Sequence, residues 1–396
     1  MYTDWFKLKR LPFRLRPDPD FLYLSGETGH VFEALRSAVA SGHGVVTLVG
    51  DSGVGKTTLL HAIARERQGA ITVARIQQPN LTSQELLAAL LEQFGLPAEE
   101  GAGRDGVKRL TRFVAEETGH GRIVLILVDE AQRCSAAILR EFLGFCTRQP
   151  APLLVLAGEM DLLKHLAALE TQGVSGQRVA ALQLPRLAPA QIPGYIGYRL
   201  SVAGSGGRVL FDPDTLPEIQ RYTGGTPALI NMLCDSAMTL AETHNSQRVG
   251  LIEIRDAVQE LQWVEFSARA PIGAAAASAA SGEIAARDVT GVLEVQRAGR
   301  PVTRLVLKPG RLVVGRAEDA GLRLDSQTVS RQHCQIITTA DQSFVEDLGS
   351  TNGIIVNGKR RRLHRLIPQD TIVIGDHTLV YVETPTAVET PTAQDG

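Results

Sequence analysis

The sequence predicts a multidomain chain: an α/β domain on a parallel sheet, a helical segment behind it, and an all-β sandwich towards the C-terminal end. Three observations carry this. Over residues 25–190, apolar strands alternate with amphipathic helical stretches, as βαβ units require. From 189 to 265 the spacing turns helical, with Leu229, Ile230, Leu233, Ala237 and Leu240 on one apolar stripe. Beyond residue 290 the texture becomes short alternating strands divided by turn residues.

In chain order, residues 1–24 are rich in Pro, aromatics and Lys/Arg and read as irregular. Strands are expected at 44–49, 71–76, 123–128, 153–157 and 181–184. Asp212-Pro213-Asp214-Thr215-Leu216 reads as a helix start. Residues 266–289 carry an Ala/Gly/Ser-rich run too poor in bulky side chains to build a core, which predicts a linker. Further strands are expected at 291–296, 303–307, 311–314, 334–338, 343–346, 371–374 and 378–382. Residues 382–393 repeat Val-Glu-Thr-Pro-Thr-Ala in tandem, and the tail 383–396 is expected to be disordered.

Composition excludes some functions. At 396 residues, 44% apolar and 21% charged, the chain has the makeup of a soluble protein of two or three domains. A formal net charge of −2 gives no global attraction to nucleic acid or anionic lipid. Cys134, Cys146, Cys234 and Cys334 form no CxxC pair and no metal-ligand spacing, so reduced, buried thiols are expected. The N-terminal residues lack the apolar core of a signal peptide, and no apolar run approaches the ~20 residues of a membrane span. A cytoplasmic protein with no membrane span is the expectation.

Gly50-Asp51-Ser52-Gly53-Val54-Gly55-Lys56-Thr57 is a complete P-loop, set between a predicted strand and a predicted helix that opens with Thr58. Its glycines let backbone N–H groups converge on a phosphate, and the helix N-terminus adds positive potential. Lys56 would reach the β- and γ-phosphates of a bound nucleotide, and the Thr57 hydroxyl would ligate Mg²⁺. The apolar strand 123–128 ends in Asp129-Glu130. In a P-loop ATPase, an Asp here holds Mg²⁺ and a following Glu activates the attacking water. ATP and Mg²⁺ are therefore the expected ligands, with Glu130 and Lys56 as catalytic residues.

Residues 1–265 resemble the ExeA (general secretion pathway protein A) family of AAA+ ATPases. The likeness runs through Met1-Tyr2-Thr3-Asp4-Trp5-Phe6, Pro17-Asp18-Pro19, the P-loop, Val128-Asp129-Glu130-Ala131-Gln132, and Gly224-Gly225-Thr226-Pro227-Ala228-Leu229-Ile230-Asn231. It implies an AAA+ core at 1–190 and a helical lid at 191–265. It also implies a homo-oligomer in which a neighbour completes the site, with Arg178 as the finger. By family position, Pro12 and Phe13 are candidates for adenine contact. Two residues depart from the family pattern: Glu159 stands where Gln is usual, and Ala228 where the lid carries an Arg. Both predict slow or partner-dependent turnover. Family members in secretion also carry a transmembrane helix and a peptidoglycan-binding domain, which this sequence does not show.

Residues 290–382 resemble a forkhead-associated (FHA) domain through Gly315-Arg316, Ser330-Arg331-Gln332-His333, Asp347-Leu348-Gly349-Ser350-Thr351-Asn352-Gly353 and Asn357-Gly358. The resemblance implies a sandwich whose loops bind a phosphothreonine protein. Arg316, Ser330, Arg331 and Thr351 would hold the phosphate, and Asn352 the peptide backbone. His333 and Asp347 are expected to brace the loops from within.

The run Lys359-Arg360-Arg361-Arg362-Leu363-His364-Arg365 reads as a solvated hairpin, with nucleic-acid contact as the alternative not favoured. Glu383-Thr384 and Glu389-Thr390 make the chain's own tail a candidate phosphothreonine source. Together these readings describe an ATPase that drives or regulates assembly of a secretion- or envelope-type complex, recruited through phosphothreonine. The alternatives are a DNA-stimulated ATPase of the transposition type, which would use Lys7, Lys9, Arg10, Arg14 and Arg16, and a nucleotide-gated adaptor with little turnover.

Overall fold

Alternating faces of one parallel sheet organise the N-terminal part of the chain. The computed structural model describes residues 1–66, 69–76, 82–97, 103–147, 150–173, 178–261, 263–268, 291–297, 299–307, 310–317, 320–338 and 343–382. It divides into two compact units, Met1–Asp256 and Ala257–Gly396. Most of the predicted linker, and the tail with Thr384 and Thr390, lie outside the described residues.

The sheet of the first unit comprises β1 (Gly44–Val49), β2 (Ile71–Ile76), β3 (Ile123–Val128), β4 (Leu153–Gly158) and β5 (Arg178–Gln183). Their order is β2-β3-β4-β1-β5, and every pair is parallel. Strands 1, 3 and 4 are almost wholly buried, as unbroken apolar runs in a doubly covered sheet must be. Val45, Val49, Val124, Ile126, Val128, Leu154 and Leu156 face one helical layer. That layer is α4 (Ser83–Gln93), α5 (Gly103–Gly119), α6 (Ala136–Cys146) and α7 (Asp161–Thr171). Val46, Leu48, Leu125, Leu127, Leu153 and Val155 face the opposite layer, formed by α2 (Glu27–Ser41) and α3 (Lys56–Glu66). The period-two alternation of a strand thus divides one apolar run between two cores. Thr82 and Glu85 close a capping box at the start of α4, satisfying N–H groups the helix cannot satisfy itself.

β5 begins three residues before the sequence predicts, at Arg178. The early start accompanies an irregular register: Val45 lies opposite Arg178, and Val46 opposite Ala180.

After the sheet come α8 (Ile192–Val202), α9 (Thr215–Thr223), α10 (Pro227–Thr243) and α11 (Leu251–Glu260). The helix start read at 212–216 is real, with Asp214 in the N-cap position. The short helix α1 (Tyr2–Trp5) packs on α10. Trp5 Nε1 donates to the Ser246 carbonyl at 2.7 Å. All four cysteines are free and buried, and burial pushes the Cys134 and Cys146 thiols up to about 12.

The second unit is a two-sheet sandwich. One sheet has the order β14-β11-β10-β8-β9 and the other β13-β12-β15-β16-β6-β7. The strands are β6 (Gly291–Arg297), β7 (Arg300–Leu307), β8 (Gly310–Gly315), β9 (Leu322–Arg323), β10 (Cys334–Thr338) and β11 (Ser343–Asp347). Then follow β12 (Ile354–Val356), β13 (Lys359–Arg361), β14 (Leu363–Leu366), β15 (Thr371–Ile374) and β16 (His377–Val382). All pairs are antiparallel except β8 with β9. Leu293, Val295, Ile372 and Leu379 from one sheet meet Val314, Ile336, Val345 and Leu366 from the other in one core.

The basic run is only partly the solvated hairpin that the sequence suggests. Lys359 and Arg360 are exposed, whereas residues 361–365 are half-buried. The chain leaves one sheet after β13 and enters the other as β14, paired with β11. His364 Nε2 bonds to the buried Asp370 carboxylate at 2.8 Å.

Candidate functional site

The P-loop leaves the C-terminal end of β1, whose neighbours on the two sides are β4 and β5. Chain direction reverses its course across the sheet there, and loops open a crevice at such a switch point. Lys56 is buried, and its Nζ donates to the Gly50 carbonyl at 2.8 Å and the Asp51 carbonyl at 2.9 Å. The lysine thus closes the loop on itself. Burial lowers its pKa, while Glu130, Glu159, Asp129 and Asp51 act in the opposite sense. Asp51 is in turn paired with Arg186 at 2.7 Å.

Thr57 and Asp129, both assigned to Mg²⁺ from sequence, lie together: Thr57 Oγ1 donates to Asp129 Oδ2 at 2.6 Å. A hydroxyl beside a carboxylate is a hard oxygen donor set of the kind Mg²⁺ takes. The residues present therefore fit the ion. The Glu130 N–H donates to the other Asp129 oxygen at 3.0 Å. Glu130 itself is held in the left-handed region, at φ 53°, a conformation that costs a non-glycine residue free energy and is found at functional sites.

Sequence reasoning assigned no role to the residue that fixes the Glu130 carboxylate. Gln132 Nε2 donates to Glu130 Oε2 at 2.9 Å, and Gln132 Oε1 accepts from the Glu159 N–H at 3.2 Å. The carboxamide therefore ties the end of β3 to the end of β4. Arg133 Nε lies 3.5 Å from the same Glu130 oxygen. The Glu159 carboxyl is raised in pKa by burial, with Lys56 opposing that effect.

The helical segment closes over the loop. The Ala228 N–H, in the first turn of α10, donates to the Gly53 carbonyl at 3.0 Å. Upstream, Gly225 has φ +75°, and a Cβ there would lie 2.1 Å from the Leu187 carbonyl oxygen. Only glycine permits this approach. Gly50, Asp51, Ser52, Gly53, Val54 and Gly55 form the loop itself, and Gly53 to Leu59 line a cleft that includes Thr58. Its far wall includes Leu15, Pro17, Tyr23, Pro185, Tyr195 and Asn231. Phe13 does not line this cleft: it is buried edge-on against Phe211, at 5.8 Å between ring centroids. The carbonyl of Pro12 accepts from Arg199 Nε at 2.6 Å. Neither Pro12 nor Phe13, the residues expected at the base, lines the cleft; Arg14, Leu15, Arg16 and Pro17, just after them, do. Arg178 opens β5, and its side chain lies outside the described residues.

In the sandwich, the loops after β8, before β10 and after β11 come together. The Arg316 N–H donates to the Ser330 carbonyl at 3.0 Å, and the Thr351 N–H donates to Ser330 Oγ at 3.1 Å. His333 is fully buried. Its Nδ1 accepts from the Ser330 N–H at 3.1 Å, so its Nε2 carries the proton and donates to the Gly353 carbonyl at 3.0 Å. Asp347 accepts from the Gly349 and Ser350 N–H groups. Asn352 Nδ2 donates to the Thr328 carbonyl at 2.8 Å. Arg316, Arg331, Thr351 and Asn352 are exposed around this rim, with Ser330 half-buried. The arrangement presents guanidinium and hydroxyl donors suited to a phosphate dianion.

Fold and sites thus define a P-loop α/β unit followed by a sandwich with a phosphate-type loop site. Residues 39–166 match the AAA domain family, and residues 312–375 match the FHA domain family. General secretion pathway protein A of Aeromonas hydrophila is 32% identical over 254 residues, which is 63% of this chain and 46% of that protein. The chain thus spans about half the length of that relative. Oxoglutarate dehydrogenase inhibitor of Corynebacterium diphtheriae is 35% identical over 116 residues, 29% of this chain and 80% of that protein. The crystal structure of the FHA domain of CT664 from Chlamydia trachomatis is 30% identical, with a TM-score of 0.23, covering 24% of this chain and 97% of that one. The chain carries an AAA domain in its N-terminal part and an FHA domain in its C-terminal part. No helix among the described residues is long and apolar enough to cross a membrane.

Proposed function

We propose that this chain is a cytoplasmic ATPase that drives or regulates assembly of a larger secretion- or envelope-type complex, recruited by phosphothreonine on a partner protein. The observation that carries the ATPase reading is the meeting of Lys56, Thr57, Asp129 and Glu130 at one end of the parallel sheet. The P-loop backbone and Lys56 would hold the ATP phosphates, with Thr57 and Asp129 holding Mg²⁺. That ion, when bound, neutralises charge on the β- and γ-phosphates. Glu130, oriented by Gln132, takes the proton of the attacking water. Arg178 of a neighbouring copy would complete the site in a homo-oligomer. The secretion reading draws on the relative named for general secretion.

The Glu159 carboxyl lies within electrostatic reach of both Lys56 and Glu130, where negative charge opposes a bound triphosphate. Glu159→Gln is expected to raise steady-state phosphate release severalfold; an unchanged or lower rate would contradict this role. Hydrolysis by the full chain, with and without double-stranded DNA, tests the function as a whole.

A further inference from the structure

We infer that the FHA loops select phosphothreonine peptides carrying acidic residues beside the phosphothreonine, and that Arg360 makes this selection; the inference rests on the phosphothreonine reading above. It begins with the turn at Asn357-Gly358. Both residues have positive φ, 51° and 75°, which is the two-residue hairpin turn whose twist matches paired strands. The turn fixes the register of β12 on β13, with Ile355 opposite Arg360 and Ile354 opposite Arg361. Ile354 is buried, so Ile355 and Arg360 share the outward face, and both are exposed.

From there the Arg360 guanidinium folds back over the phosphate loop. A Cβ built on Gly353 would lie 2.6 Å from Arg360 Nε and 2.8 Å from Nη2. Gly353 directly follows Thr351 and Asn352, and its carbonyl is the one held by His333. The guanidinium therefore lies beside the peptide-facing rim, next to a glycine whose carbonyl the buried His333 holds.

The charge pattern says what it waits for. Arg297 and Arg304, elsewhere on the sandwich, are neutralised by Asp376 and Glu294. Arg316, Arg331 and Arg360 have no ion-pair partner among the described residues. Asp347, the acid nearest in sequence to Thr351, is turned inward onto the Gly349 and Ser350 N–H groups. One phosphate dianion consumes the donors of Arg316 and its hydroxyl neighbours. The remaining fork of Arg360 is left for a carboxylate, which it can bind in bidentate fashion.

The test uses the full chain and two phosphothreonine peptides that differ only in acidic against neutral residues flanking the phosphothreonine, read by fluorescence anisotropy. The wild type is expected to bind the acidic peptide about threefold to fivefold more tightly at low salt, the range of an exposed ion pair, with the gap closing as salt rises. In Arg360→Gln the acidic peptide should fall to the affinity of the neutral one, Arg360→Lys should keep part of the preference, and the unfolding transition should stay in place. Equal binding of both peptides by the wild type, or a preference that survives Arg360→Gln, would overturn the inference. So would Arg360-dependent binding of a DNA duplex in place of peptide discrimination. Failure of the underlying reading looks different: neither peptide would then bind better than its unphosphorylated form.

Discussion

Glu130→Gln is expected to lower steady-state ATP turnover roughly a hundredfold or more, the usual loss when a positioned general base is removed, while ATP is still bound. The substitution keeps size and one oxygen, so Gln132 retains an acceptor for the contact it now makes at 2.9 Å. Lys56, Thr57 and the loop glycines are untouched, which is why affinity and rate should separate. Fluorescent-nucleotide titration alongside phosphate release checks both halves. A variant that lost binding in parallel with rate would show Glu130 acting on the shape of the site and not on the water.

The second large effect belongs to the sandwich. Arg316→Ala is expected to weaken binding of a phosphothreonine peptide about tenfold to a hundredfold, the cost of charge-assisted hydrogen bonds to a phosphate. Arg316 is exposed and its backbone, not its side chain, holds the neighbouring loop, through the bond to the Ser330 carbonyl. Thermal stability should therefore stay level while affinity falls. His333→Ala would be a poorer probe, because the buried imidazole ties two loops together. A titration showing Arg316→Ala equal to the wild type would move the phosphate away from this rim.

What could be read from sequence follows how local each signal is. The P-loop and the acid-ended strand β3 are contiguous strings whose neighbours dictate their conformation, so their placement at the C-terminal ends of the sheet's strands follows directly. The short strands β12 to β14 were not legible as strands. Three or four residues carry too little alternation, and a run of arginines masks what there is. Their pairing is set by the Asn357-Gly358 turn and by Leu366 entering the core.

Contacts across the fold were invisible for a different reason. Gln132 is part of a string recognised by family likeness, yet its role arises only because β4 lies beside β3 and brings the Glu159 N–H within reach. Likewise Ala228, which offers the lid no charged side chain, still meets the P-loop through its backbone N–H. A side-chain pattern cannot announce a backbone contact. Phe13 shows the reverse error: an aromatic near the cleft in sequence serves the core in space.

Steady-state hydrolysis by the full chain, with and without double-stranded DNA, decides whether the proposed ATPase serves protein assembly. The expected result is slow, Mg²⁺-dependent, Glu130-dependent turnover that DNA leaves unchanged. Turnover that DNA raises severalfold and salt abolishes would contradict it, because that dependence is the signature of contacts to nucleic-acid phosphates.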